Sequence, residues 1–144
     1  ILFLNIFKLS SSIKIIRRLF NTVLTMGLEL KKVPLVDIDN NGVFKYILIK
    51  VQEKDDGNGE EPNIIIVRGY QRAKWHTDIF EEVQNTLSPL KCACLGGGKM
   101  NHDSAEKKIL VYGESTGFGR ADHEITSNIL KDFYKGYTIT IGNE

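Results

Sequence analysis

Cysteine is scarce in this chain of 144 residues: only Cys92 and Cys94 occur, one residue apart. They offer no disulfide framework, and no Asn-x-Ser/Thr acceptor for glycosylation occurs anywhere. A reducing, intracellular compartment fits that composition. Charge of one sign is also lacking, since 19 Lys and Arg face 18 Asp and Glu for a formal net charge of +1. Such a balance points to no nucleic acid and no membrane surface. Long hydrophobic runs are missing too, because Asn5 and Lys8 interrupt the apolar N-terminal stretch before it is long enough to span a bilayer. With 42% hydrophobic residues, the remainder is ordinary for one soluble domain, and a monomer is expected.

Acidic residues are absent before Glu29, while Lys8, Lys14, Arg17 and Arg18 stand among apolar side chains. Ile13, Ile16, Phe20 and Val23 fall on one helical face, and Lys14, Arg17 and Arg18 on another. Residues 1–32 are therefore set apart as a leader with two expectations of equal weight. One is a mitochondrial transit peptide, basic and serine-containing. The other is untranslated sequence read through, because the first methionine is Met26, just ahead of the globular pattern. The cytoplasm is the expected location, with the mitochondrion as the alternative if the leader is genuine.

Familiar phosphatase chemistries are missing by narrow margins. Cys94 to Met100 reads CLGGGKM, with methionine where a cysteine-phosphatase loop needs arginine. Asp37 to Asn41 lacks the threonine or valine that an aspartyl-phosphate enzyme needs at position 41. The three histidines, His76, His102 and His123, are dispersed, and the carboxylates form no cluster, so no metal and no cofactor are expected. Cys-x-Cys is an unusual spacing for structural zinc and reads better as two small buried residues in a strand.

Residues 33–144 read as one folded domain. The polar turn Val36–Gly42 precedes Val43–Val51, a run apolar on both faces and broken by Lys45, and the strand Ile64–Val67 follows a charged, glycine-containing loop. These two strands are expected to pair as an antiparallel hairpin. Thr77 or Asp78 can cap a helix with Ile79, Phe80, Val83 and Leu87 as its buried stripe, ended by Pro89. A short strand at Cys92 then enters a glycine turn at Gly96–Gly98, and Lys108–Tyr112 is the next strand. Asp122 caps a second helix with Ile125, Ile129, Leu130 and Phe133 on its core face, and Tyr137–Ile141 closes the chain as a strand. The order does not alternate strictly, so the fold class is α+β, a mixed sheet flanked by two helices.

Two residues invite a chemical reading. His76 stands at the first helix N-terminus, where the helix field and nearby Lys45 or Arg68 disfavour imidazolium and leave the neutral form a general base needs. Position alone favours a cap-region histidine without a role. Lys45 within an apolar strand needs either an anion or an outward path to solvent. The loop Gly113–Gly119 can turn successive NH groups toward an oxyanion, with Ser115 adding a hydroxyl, although it lacks a Walker A ending.

Several motifs together resemble the janus/ocnus family. They are Asp37-Ile-Asp with Gly42-Val-Phe-Lys-Tyr46, Val67-Arg-Gly-Tyr70, Trp75-His-Thr-Asp-Ile79, Cys94-Leu-Gly-Gly-Gly98, Val111-Tyr-Gly113 and Gly117-Phe-Gly-Arg-Ala-Asp-His123. The likeness spans about Val33 to Ile141 and does not reach the leader. It implies metal-independent hydrolysis of the N–P bond in histidine-phosphorylated proteins. His76 is implied as the proton acceptor, with Lys45, Ser115, Thr116 and Gly117 holding the phosphoryl group and Arg68 in support. Lys99 replaces an arginine of the mammalian-type enzyme, and Glu114 replaces a tyrosine, which sets an anion beside an anionic substrate. A phospholigand-binding or regulatory module with weak catalysis is the alternative that Glu114 keeps open.

Overall fold

The computed structural model describes residues 11–20, 29–53 and 61–143. Two units are distinguished, Ile1–Val33 and Pro34–Glu144. In the first, residues 11–20 are helical (α1) with every side chain exposed, and a surface ion pair joins Lys32 to Glu29. The leader residues Lys8, Val23 and Met26 lie outside the described residues.

The second unit is a compact α+β arrangement around a mixed sheet of six strands. In chain order these are β1 (Val36–Ile38), β2 (Asn41–Gln52), β3 (Asn63–Tyr70), β4 (Lys91–Asp103), β5 (Lys108–Tyr112) and β6 (Thr138–Ile141). Their spatial order is β1-β3-β2-β4-β5-β6. The two outer pairings, β1 with β3 and β5 with β6, are parallel, and the inner three are antiparallel. Both edge strands are short, which limits the unpaired backbone on show. Helix α2 (His76–Leu87) follows β3, and α3 (His123–Phe133) follows β5.

Period-two alternation decides which side chains each face receives. Phe44, Tyr46 and Leu48 of β2 join Met100, Ile109, Val111 and Leu130 in one core cluster beneath α3. Ile47 and Ile49 point the other way, toward the face that carries α2, and are fully buried, as is Ile79 of that helix. Burying each such side chain contributes roughly 1.5–3 kcal/mol. Asp122 caps α3 as expected, its carboxylate accepting from the NH groups of Glu124 (3.0 Å) and Ile125 (3.2 Å).

The expected hairpin of β2 and β3 forms, with Gln52 opposite Asn63 at its loop end. Most of its loop, residues 54–60, lies outside the described residues. Elsewhere the structure corrects the sequence reading. Val36–Ile38 is a strand and not a turn, because Val36 and Ile38 alternate into the core and pair with β3. The β2 run is not buried along its whole length, since Val43 is 57% exposed. Gly96–Gly98 is no turn either: β4 runs straight through it, with a bulge where Leu95 is passed over between Leu48 and Ile49. Phe133 stays exposed and meets the ring of Tyr134, while His123, Thr126 and Ser127 are buried instead. Helix α2 starts at His76 with Trp75 at the N-cap, two residues before Thr77 and three before Asp78, the expected caps. Asp78, as its third residue, accepts from the NH of Trp75 at 2.7 Å.

Candidate functional site

A pocket of about 400 Å³ opens where the cover of α2 over the sheet ends. Lys45 and Lys99 rise into it from neighbouring strands, directly opposite one another in the β2–β4 register. Like charges placed across a ladder repel. Neither lysine has a salt-bridge partner among the described residues, so the site is set up to receive an anion.

The start of α2 forms the second wall through His76 and Thr77. The opening NH groups of a helix have no carbonyl one turn back, and its dipole adds positive potential there. His76 is half-buried, and its Nε2 lies 2.9 Å from the Gly98 carbonyl oxygen. A carbonyl only accepts, so Nε2 carries the hydrogen and Nδ1 keeps its lone pair. Burial, above all, holds the His76 pKa below its ordinary 6.5. Lys45 and Lys99 act in the same sense, and the Gly98 hydrogen bond opposes them. The result is a neutral imidazole among cations, with a basic nitrogen that has no protein partner among the described residues.

Gly97 explains how the ring comes so close to the sheet. A Cβ there would lie 2.8 Å from His76 Cδ2 and 3.0 Å from Ser115 Cβ. Those distances are below contact, so only bare backbone admits both side chains. The glycine run in β4 is a seat for the site.

The third wall is the loop after β5. Its NH and carbonyl groups close on themselves, Ser115 N to Gly119 O at 3.2 Å and Gly119 N to Ser115 O at 2.8 Å. Gly119 takes a φ of +80°, which suits glycine. Ser115 Oγ accepts from Phe118 N at 3.2 Å, which leaves its hydroxyl hydrogen to donate. The NH groups of Thr116 and Gly117 have no acceptor among the described residues, and both residues line the pocket. Phe118 meets Phe80 of α2 edge-on, centroids 5.6 Å apart, tying the loop to the helix.

A buried strut supports this loop from the opposite face. His123 Nε2 donates to the Gly113 carbonyl at 2.8 Å, and its Nδ1 accepts from the Tyr46 hydroxyl at 2.5 Å. Tyr46 also lies 3.2 Å from Thr126 Oγ1. Burial lowers the pKa of His123, against the Gly113 hydrogen bond, and raises that of Tyr46 far above the usual phenol value. Both therefore stay neutral, as the strut requires.

Of the residues the sequence singled out, Lys45, His76, Ser115, Thr116 and Gly117 meet in this pocket. Arg68 does not. It is buried, and its guanidinium donates to the carbonyls of Val67 (2.9 Å) and Pro34 (2.7 Å), so its expected support of the substrate gives way to a backbone brace. Lys99, Thr77 and Trp75 were missed as lining residues, and Glu114 is on the wall. Only the strand register brings Lys99 to Lys45, and no local pattern carries that information. Burial pushes the thiols of Cys92 and Cys94 up, away from the thiolate that nucleophilic chemistry needs. Among the described residues no three His, Cys, Asp or Glu side chains gather as a metal site would require. No described helix is long and apolar enough to cross a membrane.

Comparison with known proteins places this geometry in context. The model of the Janus/Ocnus family matches residues 30–138. The sex-regulated protein janus-A of Drosophila pseudoobscura pseudoobscura is 47% identical over 118 residues, covering 81% of this chain and 79% of its own. The 14 kDa phosphohistidine phosphatase of Sus scrofa is 44% identical over 115 residues, 78% of this chain and 91% of its own. The protein of that name from Homo sapiens is 41% identical over 119 residues, 81% and 95% of the two chains.

Proposed function

The chain belongs to the Janus/Ocnus family, and from that membership and the pocket we propose that it is a protein phosphohistidine phosphatase working without a metal. The observation that carries the reading is the His76 ring, held by the Gly98 carbonyl with Nδ1 free, in a pocket whose floor is Lys45 and Lys99.

In this reading the phosphoryl oxygens rest on Lys45, Lys99, the Ser115 hydroxyl and the NH groups of Thr116 and Gly117. A loose phosphoryl-transfer state asks mainly for positioning and charge stabilisation of this kind. Water forms the new P–O bond as the N–P bond breaks. His76 Nδ1 takes a proton from the water and passes it to the departing imidazole nitrogen, so histidine and phosphate leave and His76 returns to its neutral form.

Glu114, exposed on the pocket wall, favours a second reading. A carboxylate beside the phosphoryl group weakens anion binding and suits a module that engages phosphoproteins with little turnover. Phosphate release from free phosphohistidine and from a phosphohistidine peptide, with and without EDTA, decides between them. Turnover that survives chelation is expected. Peptide binding without phosphate release selects the module, and activity that needs a restored divalent ion overturns the metal-free chemistry.

A further inference from the structure

The pocket occupies one end of a sheet face whose other end no described residue of Pro34–Glu144 covers. Beyond Lys45 and Lys99, side chains on the same face form two further rows across the strands. The nearer row is Val43, Asn101, Leu110 and Thr140, and the farther is Asn41, Asp103, Lys108 and Thr138. The alternating residues of the opposite face, Met100, His102, Ile109, Val111 and Ile139, are buried under α3. Those of this face are exposed or half-exposed, with Val43 at 57%. A cavity of about 430 Å³ lies among Asn101, Asp103, Lys108, Leu110, Thr138 and Thr140.

The geometry points to this bare sheet face as the docking surface for the polypeptide that carries the phosphohistidine, an inference that rests on the phosphatase reading. Three observations fix that occupant. First, the face is continuous with the pocket, because Val43 follows Lys45 and Asn101 follows Lys99 on the same side of adjacent strands. A phosphohistidine side chain seated in the pocket leaves its backbone directly over Val43 and Asn101. Second, the cations at Lys45 and Lys99 belong to the phosphoryl end, while Asp103 and Lys108 pair opposite charges across the far row. The face therefore has no net charge to attract an acidic or basic tail. Third, Val43 and Leu110 offer apolar contact, and Asn41, Asn101, Thr138 and Thr140 offer uncharged hydrogen-bonding groups. The matching partner is an extended, uncharged segment with apolar residues beside the phosphohistidine.

Two substitutions outside the pocket test this, Val43→Ser with Leu110→Ser, made together in the full chain. Both positions are at least partly exposed, and a thermal melt verifies that folding is kept. The probes are free phosphohistidine and two synthetic peptides with a central phosphohistidine, one flanked by valine and leucine and one by aspartates. The wild-type chain is expected to prefer the apolar peptide. The double variant should lose that preference through a roughly tenfold fall in kcat/KM, the size of one lost apolar anchor. Its rate on free phosphohistidine should not change. Equal turnover of both peptides by the wild-type chain, or an unchanged preference in the variant, overturns the docking surface while the phosphatase reading stands. No turnover of any of the three probes overturns that reading and the docking surface with it. A wild-type dimer that the double variant converts to monomers assigns the face to a second copy instead.

Discussion

Lys45 and Lys99 stand opposite each other on adjacent antiparallel strands, and both reach the pocket beside His76. Two cations in that relation lower the stability of the empty fold and raise its affinity for an anion. Lys99→Met removes the repulsion and keeps the length of the side chain. It is expected to stabilise the ligand-free protein by roughly 0.2–1 kcal/mol, the scale of a cross-strand pair. Binding of inorganic phosphate should weaken at the same time. Thermal melts with calorimetric titration read both, and a destabilised variant with unchanged phosphate affinity would remove Lys99 from the anion site.

The acid side of the pH profile follows from the same pair. Burial, Lys45 and Lys99 hold His76 below 6.5 in the folded chain, so its basic form persists to lower pH than that of a free histidine. The limb of kcat/KM assigned to His76 should thus fall off below 6.5, and Lys99→Met should move it toward higher pH. Folding carries the same sign. His76 and His123 both have depressed folded pKa values, so the unfolded chain takes up protons first. Their stabilising contribution is present above 6.5 and is lost as pH falls from there through the folded values. Denaturant titrations across that range check it. A limb above 6.5 in the wild-type chain contradicts the assignment.

His76→Ala separates the base from the anion site. Turnover should fall by roughly 10² to 10⁴-fold, the range for a general base. Phosphate should still bind, because both lysines and the Ser115 loop remain. Lys45→Gln should lower both binding and turnover, since it removes charge felt in the bound and transition states alike. Near-normal turnover by His76→Ala would return the histidine to a cap-region role.

Sequence made some of this plain and hid the rest for physical reasons. The β2–β3 hairpin and the Asp122 cap were readable because each is local: β-branched runs flank a polar loop, and a carboxylate precedes an amphipathic stretch. His76, Lys45 and the Ser115 loop were readable as chemical types, but family resemblance brought them together. Strand β1 is hidden because Asp37 within it and Asp39, Asn40 and Asn41 just after it give the stretch the composition of a turn, and its pairing with β3 is distant in sequence. The family motif Val67-Arg-Gly-Tyr70 implies a supporting role for Arg68, yet its side chain ends on the Val67 and Pro34 carbonyls. The glycines of β4 were read by their usual local meaning, a turn. Their role here is set by side chains of His76, Ser115 and His123 that arrive from other parts of the chain.

Gly97 gives the sharpest test of that seat. In Gly97→Ala the new methyl meets His76 Cδ2 at 2.8 Å and the Tyr46 carbonyl oxygen at 2.9 Å. The carbonyl belongs to a central strand and cannot withdraw, so the imidazole must move off the Gly98 oxygen. Overpacking of this kind costs roughly 1–3 kcal/mol. The larger effect should be on rate, because a ring freed from Gly98 loses both its fixed tautomer and its aim at the phosphoryl group. Gly117→Ala is the contrast within the same pocket: a Cβ there has nothing within 4 Å, and no positive φ forbids it. It should melt with the parent protein. If Gly97→Ala matched Gly117→Ala in melting temperature and kept full turnover, the close seat of His76 on β4 would be irrelevant to catalysis. If Gly97→Ala lost turnover while its melting temperature fell only a little, the ring position itself would be what the reaction needs.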